Sequence, residues 1–185
     1  MVGNDFRARK VLSSIICVFR FVLRFYKRFS IIDYPQETTG GRFCQELTRH
    51  FLWFVAQCRA ESAFKPEAIS PAGACGLMQL MPRTWREIRL YLPDLSKDIL
   101  DPRSNIRAGV WYDRFCFGRF VDITDTRDRL LVAFAAYNCG PTRIRKIIDA
   151  SGVRTIEDIQ PHIPFEETRD YVKRIIRFRE ELKTS

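Results

Sequence analysis

The sequence predicts a mostly α-helical chain, and three observations predict it. Apolar residues recur at spacings of three and four in stretch after stretch. Proline and glycine separate those stretches, at Pro66, Pro71, Gly73, Gly76, Pro93, Pro102, Gly140, Pro141, Pro161 and Pro164. No stretch carries a convincing strand period, and there are no repeats or low-complexity runs. At 185 residues the chain suits one domain with an appendage and is long enough for a sizeable core.

The appendage is residues 1–30. Arg7, Arg9 and Lys10 precede an apolar run from Val11 to Phe19, which Arg20 and Arg24 interrupt. Drawn as a helix, Arg9, Ser13, Cys17, Arg20, Arg24 and Lys27 share one face, and Leu12, Ile15, Ile16, Phe19, Val22, Leu23 and Tyr26 cover most of the remainder. A basic amphipathic helix with aromatics suits an anionic membrane interface. Two central arginines are costly in lipid, which disfavours a spanning helix. An atypical export signal, lacking a small-residue cleavage site, and a helix packed on the domain remain as alternatives. Residues 31–41, with Pro35, Gly40 and Gly41, form the expected linker.

The domain expected over residues 42–185 opens with a helix from about Gln45 to Arg59, its apolar stripe being Leu47, Phe51, Val55 and Cys58. A loop broken by proline and glycine leads to the compact run Gly76-Leu77-Met78-Gln79-Leu80-Met81-Pro82. Pro82 and Thr84-Trp85 open a second helix to about Leu92. After a loop through Asp101-Pro102, Ser104 or Asn105 is the expected cap of a third, with Ile106, Val110, Trp111 and Phe115 inward. Asp128 precedes a very apolar helix, Leu130 to Tyr137, that Gly140-Pro141 stops. Thr142 starts another, with Ile144, Ile147 and Ile148, and a polar loop follows. The last runs from about Phe165 to Leu182 on the stripe Tyr171, Ile175, Phe178, Leu182.

The formal net charge is +9. Residues 1–40 hold seven Lys/Arg against three acids, and residues 41–185 hold 24 against 19, so the excess is densest at the N-terminus. Much of it is solvated surface, but the balance favours an acidic polymer or a membrane surface. Nucleic acid is not expected, because no basic–aromatic RNA motif or zinc-finger spacing is present. The cysteines are Cys17, Cys44, Cys58, Cys75, Cys116 and Cys139. They contain no C-x-x-C pair, so a metal site is not expected. Mostly free thiols are, with Cys58 and Cys116 as buried small hydrophobes.

One carboxylate stands out. Glu61 follows the apolar helix and shares a stripe with Phe54 and Cys58, so it points along an apolar face. Apolar surroundings and the negative end of the helix dipole both favour its protonated form, as a general acid for glycoside cleavage requires. Ordinary hydrolysis would need a second carboxylate, and Glu67, Asp94, Asp98 and Asp101 are all loop-like.

Glu61-Ser62, Ser70 through Gly76-Leu77-Met78-Gln79, and Ala136-Tyr137-Asn138 with Gly140 resemble the signature of the soluble-lytic-transglycosylase (SLT) domain, which is goose-lysozyme-like. Asn105-Ile106 with Gly109, Pro164-Phe165, and Glu167-Thr168-Arg169 with Tyr171 agree, in the family's order, over about residues 42–180. Cys75 and Cys139 depart from the small residues usual there. The resemblance implies a lysozyme-like fold with two helical lobes around a substrate cleft and a short hairpin near Ser70. It implies cleavage of peptidoglycan with no metal and no cofactor, with Glu61 as acid and then base, leaving 1,6-anhydro ends. Ser70 and Gln79 would line the cleft. Met78 and Met81 would pack under the sugar or fill the core. Tyr137 would reach Glu61 or an acetamido group, Asn138 would cap its helix or reach substrate, and Tyr171 would bind substrate or pack. Lysozyme-type hydrolysis and a non-catalytic glycan binder are the alternatives. A cell-envelope, membrane-associated location follows, and envelope assembly partners stay unspecified.

Overall fold

The computed structural model describes residues 51–183. The N-terminal segment, the linker and the first turns of the expected first helix lie outside them. The described residues are mostly helical, as expected. The elements are α1 (Phe51–Ser62), α2 (Pro82–Tyr91), α3 (Pro102–Gly118), α4 (Thr126–Cys139), α5 (Pro141–Ser151), α6 (Ile156–Ile159), a 3₁₀ turn (Gln160–His162) and α7 (Glu166–Lys183). The described residues fall into two compact units, 51–109 with 178–183, and 110–177.

In the first unit α1 is apolar on all sides. Every residue from Trp53 to Cys58 is buried, so the helix runs through the core instead of lying on it. Arg59 marks its wet edge, with its guanidinium 4.0 Å from the Phe178 ring centroid and Nη1 2.6 Å from Glu181. Arg179 lies 4.4 Å from the Trp53 ring centroid, so cationic stems cover the apolar helix. The helix does not stop at Arg59. It runs to Ser62, and Ala63 and Phe64 end it at φ +50° and +65°. Glu61 therefore sits within the last turn. The expected hairpin near Ser70 is reduced to single antiparallel bridges, Ile69 with Cys75 and Cys75 with Leu80.

Two helices start earlier than expected because proline opens them. The Asp101 carboxylate accepts from Ser104 N–H at 2.9 Å, so Asp101 caps α3 and Pro102 occupies its first turn. Neither Ser104 nor Asn105 is the cap. In the second unit, Gly140 at φ +101° ends α4 through its N–H to Ala136 O, and Pro141 begins α5 at once. Asp125 caps α4 by accepting from Asp128 N–H at 2.8 Å, so the helix begins at Thr126, four residues before the expected Leu130. Arg129 to Tyr137 are all buried, which makes α4 the central helix of its unit. Thr155 caps the short α6, where only a polar loop was expected; four residues are too few to show a period. Among the described residues no helix is long and apolar enough to cross a membrane.

Candidate functional site

Glu61 is half-buried in the last turn of α1. One turn earlier, Cys58 is fully buried. Burial pushes its thiol far above the usual range; the Ser62 hydrogen bond opposes this and the charge of Glu61 adds to it. Beside Glu61, Ser62 Oγ donates to Leu77 O at 2.9 Å, with Cys58 O 3.2 Å away, and Cys58 Sγ lies 3.5 Å from the same Leu77 oxygen. The end of α1 is thus tied to the Gly76–Gln79 loop at one carbonyl.

The loop is a tight construction. Gln79 adopts φ +47°, and its side-chain amide donates to Ala68 O at 3.0 Å and Gly76 O at 2.8 Å. Both amide hydrogens are spent on backbone, so Oε1 is the acceptor left to face a ligand. Ser70 closes the neighbouring turn by accepting from Ala74 N–H at 3.0 Å, which leaves its own hydroxyl hydrogen to donate. Met81 is 43% exposed and Ile69 65%, so an apolar side chain stands open on either side of this loop. Met78 differs. It is fully buried against Gly109, where an added Cβ would come within 2.7 Å of its Cβ and Cγ. The expectation that Met78 packs under a sugar is corrected: its side chain fills the core beneath the loop.

Three of the four carboxylates that could pair with Glu61 have other tasks. Asp94 makes a two-pronged ion pair with Arg107 at 2.6 and 2.9 Å, which holds its carboxyl below the ordinary range. Asp98 accepts from Leu100 N–H at 2.8 Å, and Asp101 caps α3. Glu67 is exposed on the loop.

Tyr137, Asn138 and Tyr171 belong to the second unit. Tyr137 is buried at the end of α4 and meets Tyr112 edge to face, with ring centroids 5.2 Å apart. Asn138 Oδ1 accepts from the buried Thr168 hydroxyl at 2.7 Å, so its side chain joins α4 to α7 instead of capping α4. Tyr171 is 1% exposed, which corrects the expectation of substrate contact: it packs in the interior. The sequence reading missed two positioning side chains, Thr168 and Asn105. Thr168 adjoins Glu167 and Arg169 of the signature, and Asn105 opens the Asn105-Ile106 piece, so their place among the motif residues was the available signal. Among the described residues no group of three His, Cys, Asp or Glu is placed to hold a metal ion.

A family model, the transglycosylase SLT domain, matches residues 46–160. The soluble lytic murein transglycosylase of Escherichia coli K12 is 36% identical over 130 residues, 67% of this chain and 19% of that protein. The membrane-bound lytic murein transglycosylase F of Vibrio campbellii is 27% identical over 158 residues, 72% of this chain and 28% of that protein. Among solved structures, an inactive glutamate-to-glutamine mutant of the lytic transglycosylase Slt from Pseudomonas aeruginosa matches with a TM-score of 0.63 and 30% identity, over 80% of this chain and 24% of that one. This chain therefore spans roughly a fifth to a quarter of the length of these relatives. The matched residues make up more than half of the chain, and it belongs to the transglycosylase SLT domain family.

Proposed function

We propose that this chain is a peptidoglycan lytic transglycosylase that cleaves the β-1,4 bond between N-acetylmuramic acid and N-acetylglucosamine. Glu61 is its acid and base. The protonated carboxyl gives its proton to the glycosidic oxygen as the C1–O bond breaks. The resulting carboxylate takes the proton of the muramoyl C6 hydroxyl, whose oxygen closes onto C1 and leaves a 1,6-anhydro end. One residue in two protonation states serves both steps, and the internal hydroxyl outcompetes water by proximity. Ser70, Gln79 and Met81 are the proposed glycan contacts on the Glu61 unit, through the Ser70 hydroxyl hydrogen, Gln79 Oε1 and the exposed Met81 side chain. Tyr137 and Asn138 are proposed contacts of the second unit.

The observation that carries this reading is Glu61 in the last turn of α1, tied through Ser62 to the loop, while Asp94, Asp98 and Asp101 are engaged by Arg107 or by backbone N–H groups. Of the four candidates only Glu67 stays exposed on the loop, which disfavours a paired-carboxylate hydrolase within this unit. The relatives named above are lytic transglycosylases, one of them inactive with a glutamate replaced by glutamine. The location follows from the same reading: the cell envelope, with the basic N-terminal segment on an anionic membrane surface.

Glu61→Gln keeps the size and removes the transferable proton. The fold and glycan binding should survive while turnover falls at least roughly a hundredfold. Mass spectrometry of products from purified wall should find anhydro ends, one water lighter than hydrolytic ends. Full activity in the variant refutes the assignment of Glu61. Reducing ends without anhydro product hand the reaction to a lysozyme-type muramidase, and binding without either product makes the chain a glycan binder.

A further inference from the structure

Asn105 is fully buried on α3, and its side chain makes three hydrogen bonds, all to backbone. Oδ1 accepts from Met78 N–H at 2.7 Å. Nδ2 donates to Cys75 O at 3.0 Å and to Ile99 O at 2.8 Å. Two of these grip the loop on either side of Leu77, the residue whose carbonyl Ser62 holds from α1. The loop is therefore fastened from two helices, by Asn105 on one and by the neighbour of Glu61 on the other.

The fit leaves no slack. A Cβ on Gly76, whose φ is +78°, would lie 2.4 Å from Asn105 Nδ2. One turn further along α3, a Cβ on Gly109 would strike Met78. The side chain must also offer one acceptor and two donors in a plane, which only an amide of this length supplies here. Aspartate keeps the acceptor but turns a carboxylate oxygen on two carbonyls. Glutamine carries an extra methylene into Gly76. Alanine takes the acceptor from the buried Met78 N–H and the amide donor from Ile99 O, and leaves Cys75 O with Leu80 N–H alone.

We infer that Asn105 is the positioning residue of the site: it sets the register of the Gly76–Gln79 loop against the end of α1, and so the Gln79 amide and the Met81 side chain against Glu61. The inference rests on the reading of Glu61 as the acid. It assigns Asn105 no contact with the glycan.

The experiment compares the full chain with Asn105→Ala, Asn105→Asp and Ser104→Ala. Ser104 Oγ accepts from Ser96 N–H at 3.1 Å and is buried on the same turn of α3, so its loss disturbs the helix without releasing the loop. Hydrogen exchange is followed in residues 74–81 and 51–62, and steady-state kinetics on soluble glycan strands are measured well below every melting temperature. In Asn105→Ala, exchange at 74–81 should quicken by about tenfold or more while 51–62 stays protected. Its kcat should fall roughly ten- to a hundredfold, the scale of a misplaced catalytic constellation, with KM within about twofold. Asn105→Asp, taken as a ratio to wild type at each pH, should recover as pH falls, because its protonated carboxyl accepts from Met78 and donates to one carbonyl. Ser104→Ala should lower the melting temperature and move neither readout. Unchanged loop exchange in Asn105→Ala overturns the inference, as does a loosened loop with wild-type kcat, or a Ser104→Ala that reproduces both effects. A wild-type chain that releases no product overturns the proposed function instead, and the exchange comparison still decides whether Asn105 fixes the loop.

Discussion

Cys58 and Glu61 stand one helical turn apart, yet one is sealed from solvent and the other half open. The Cys58 thiol is pushed far above its ordinary range by burial, and so is that of Cys116, where the charge of Asp113 adds to the effect. The thiolate is the reactive species, so neither should alkylate in the folded protein. At about pH 8, a maleimide should leave both unmodified and modify both once the chain is unfolded, as read by peptide mass spectrometry; native labelling of either would contradict their burial. Their character as small hydrophobes was legible from apolar neighbours at helical spacing. The task of Asn105 was not. Its partners lie 27 and 30 residues back along the chain, and an asparagine after Asp101-Pro102 has the local chemistry of a cap. Met78 and Met81 show the same limit: two methionines three residues apart in one motif end up buried and exposed, because the positive φ of Gln79 turns the chain between them.

At the scale of elements, α5 is held to the turn after α3 by charge. Arg145 makes a two-pronged pair with Asp122 at 2.9 and 3.1 Å, and Arg154 Nε lies 3.0 Å from the same carboxylate. The Arg145 hydrogen bonds, with smaller help from Arg154, hold the Asp122 carboxyl below its usual range. A depressed pKa stabilises the fold in full above the ordinary carboxylate range, near pH 4, and that contribution is lost as pH falls through the folded value. The groups are about a third exposed, so solvent screening limits the effect to about 1 kcal/mol or less. Asp122→Asn should therefore melt slightly lower than wild type at pH 7, and the two melting curves should converge as pH falls below the ordinary carboxylate range. A gap that persists in acid would show that the loss is one of packing. The existence of every helix but the four-residue α6 was legible from the period of three and four, whereas the starts of α3 and α5 were set by prolines that also read as loop or stop.

For the whole molecule, the fold class was legible because both units are built from helices, either striped or apolar all round, and the SLT pieces run from one unit into the other. Charge adds a property that neither unit explains alone. The N-terminal 40 residues carry a net +4 in a stretch that is also rich in apolar and aromatic residues. The full chain should sediment with anionic vesicles and be partly released by high salt, since the arginine and lysine attraction is screened while the apolar contact is not. A chain beginning at Gly41 should stay in the supernatant and still act on isolated wall. Equal partitioning of the two would remove the membrane from the proposal.

The close approach of Gly76 to Asn105 and of Gly109 to Met78 bears on how this family's sequences are to be compared. Two positions without a side chain are as constrained as any that bear a functional group, because each is the mould of its partner. Inheritance should therefore treat residues 76 and 105, and 78 and 109, as matched sets: a relative that enlarges one member must shrink the other or move a helix. Invariance at such a glycine is a statement about shape, and counting it as a sign of chemistry would credit the wrong residue with the reaction.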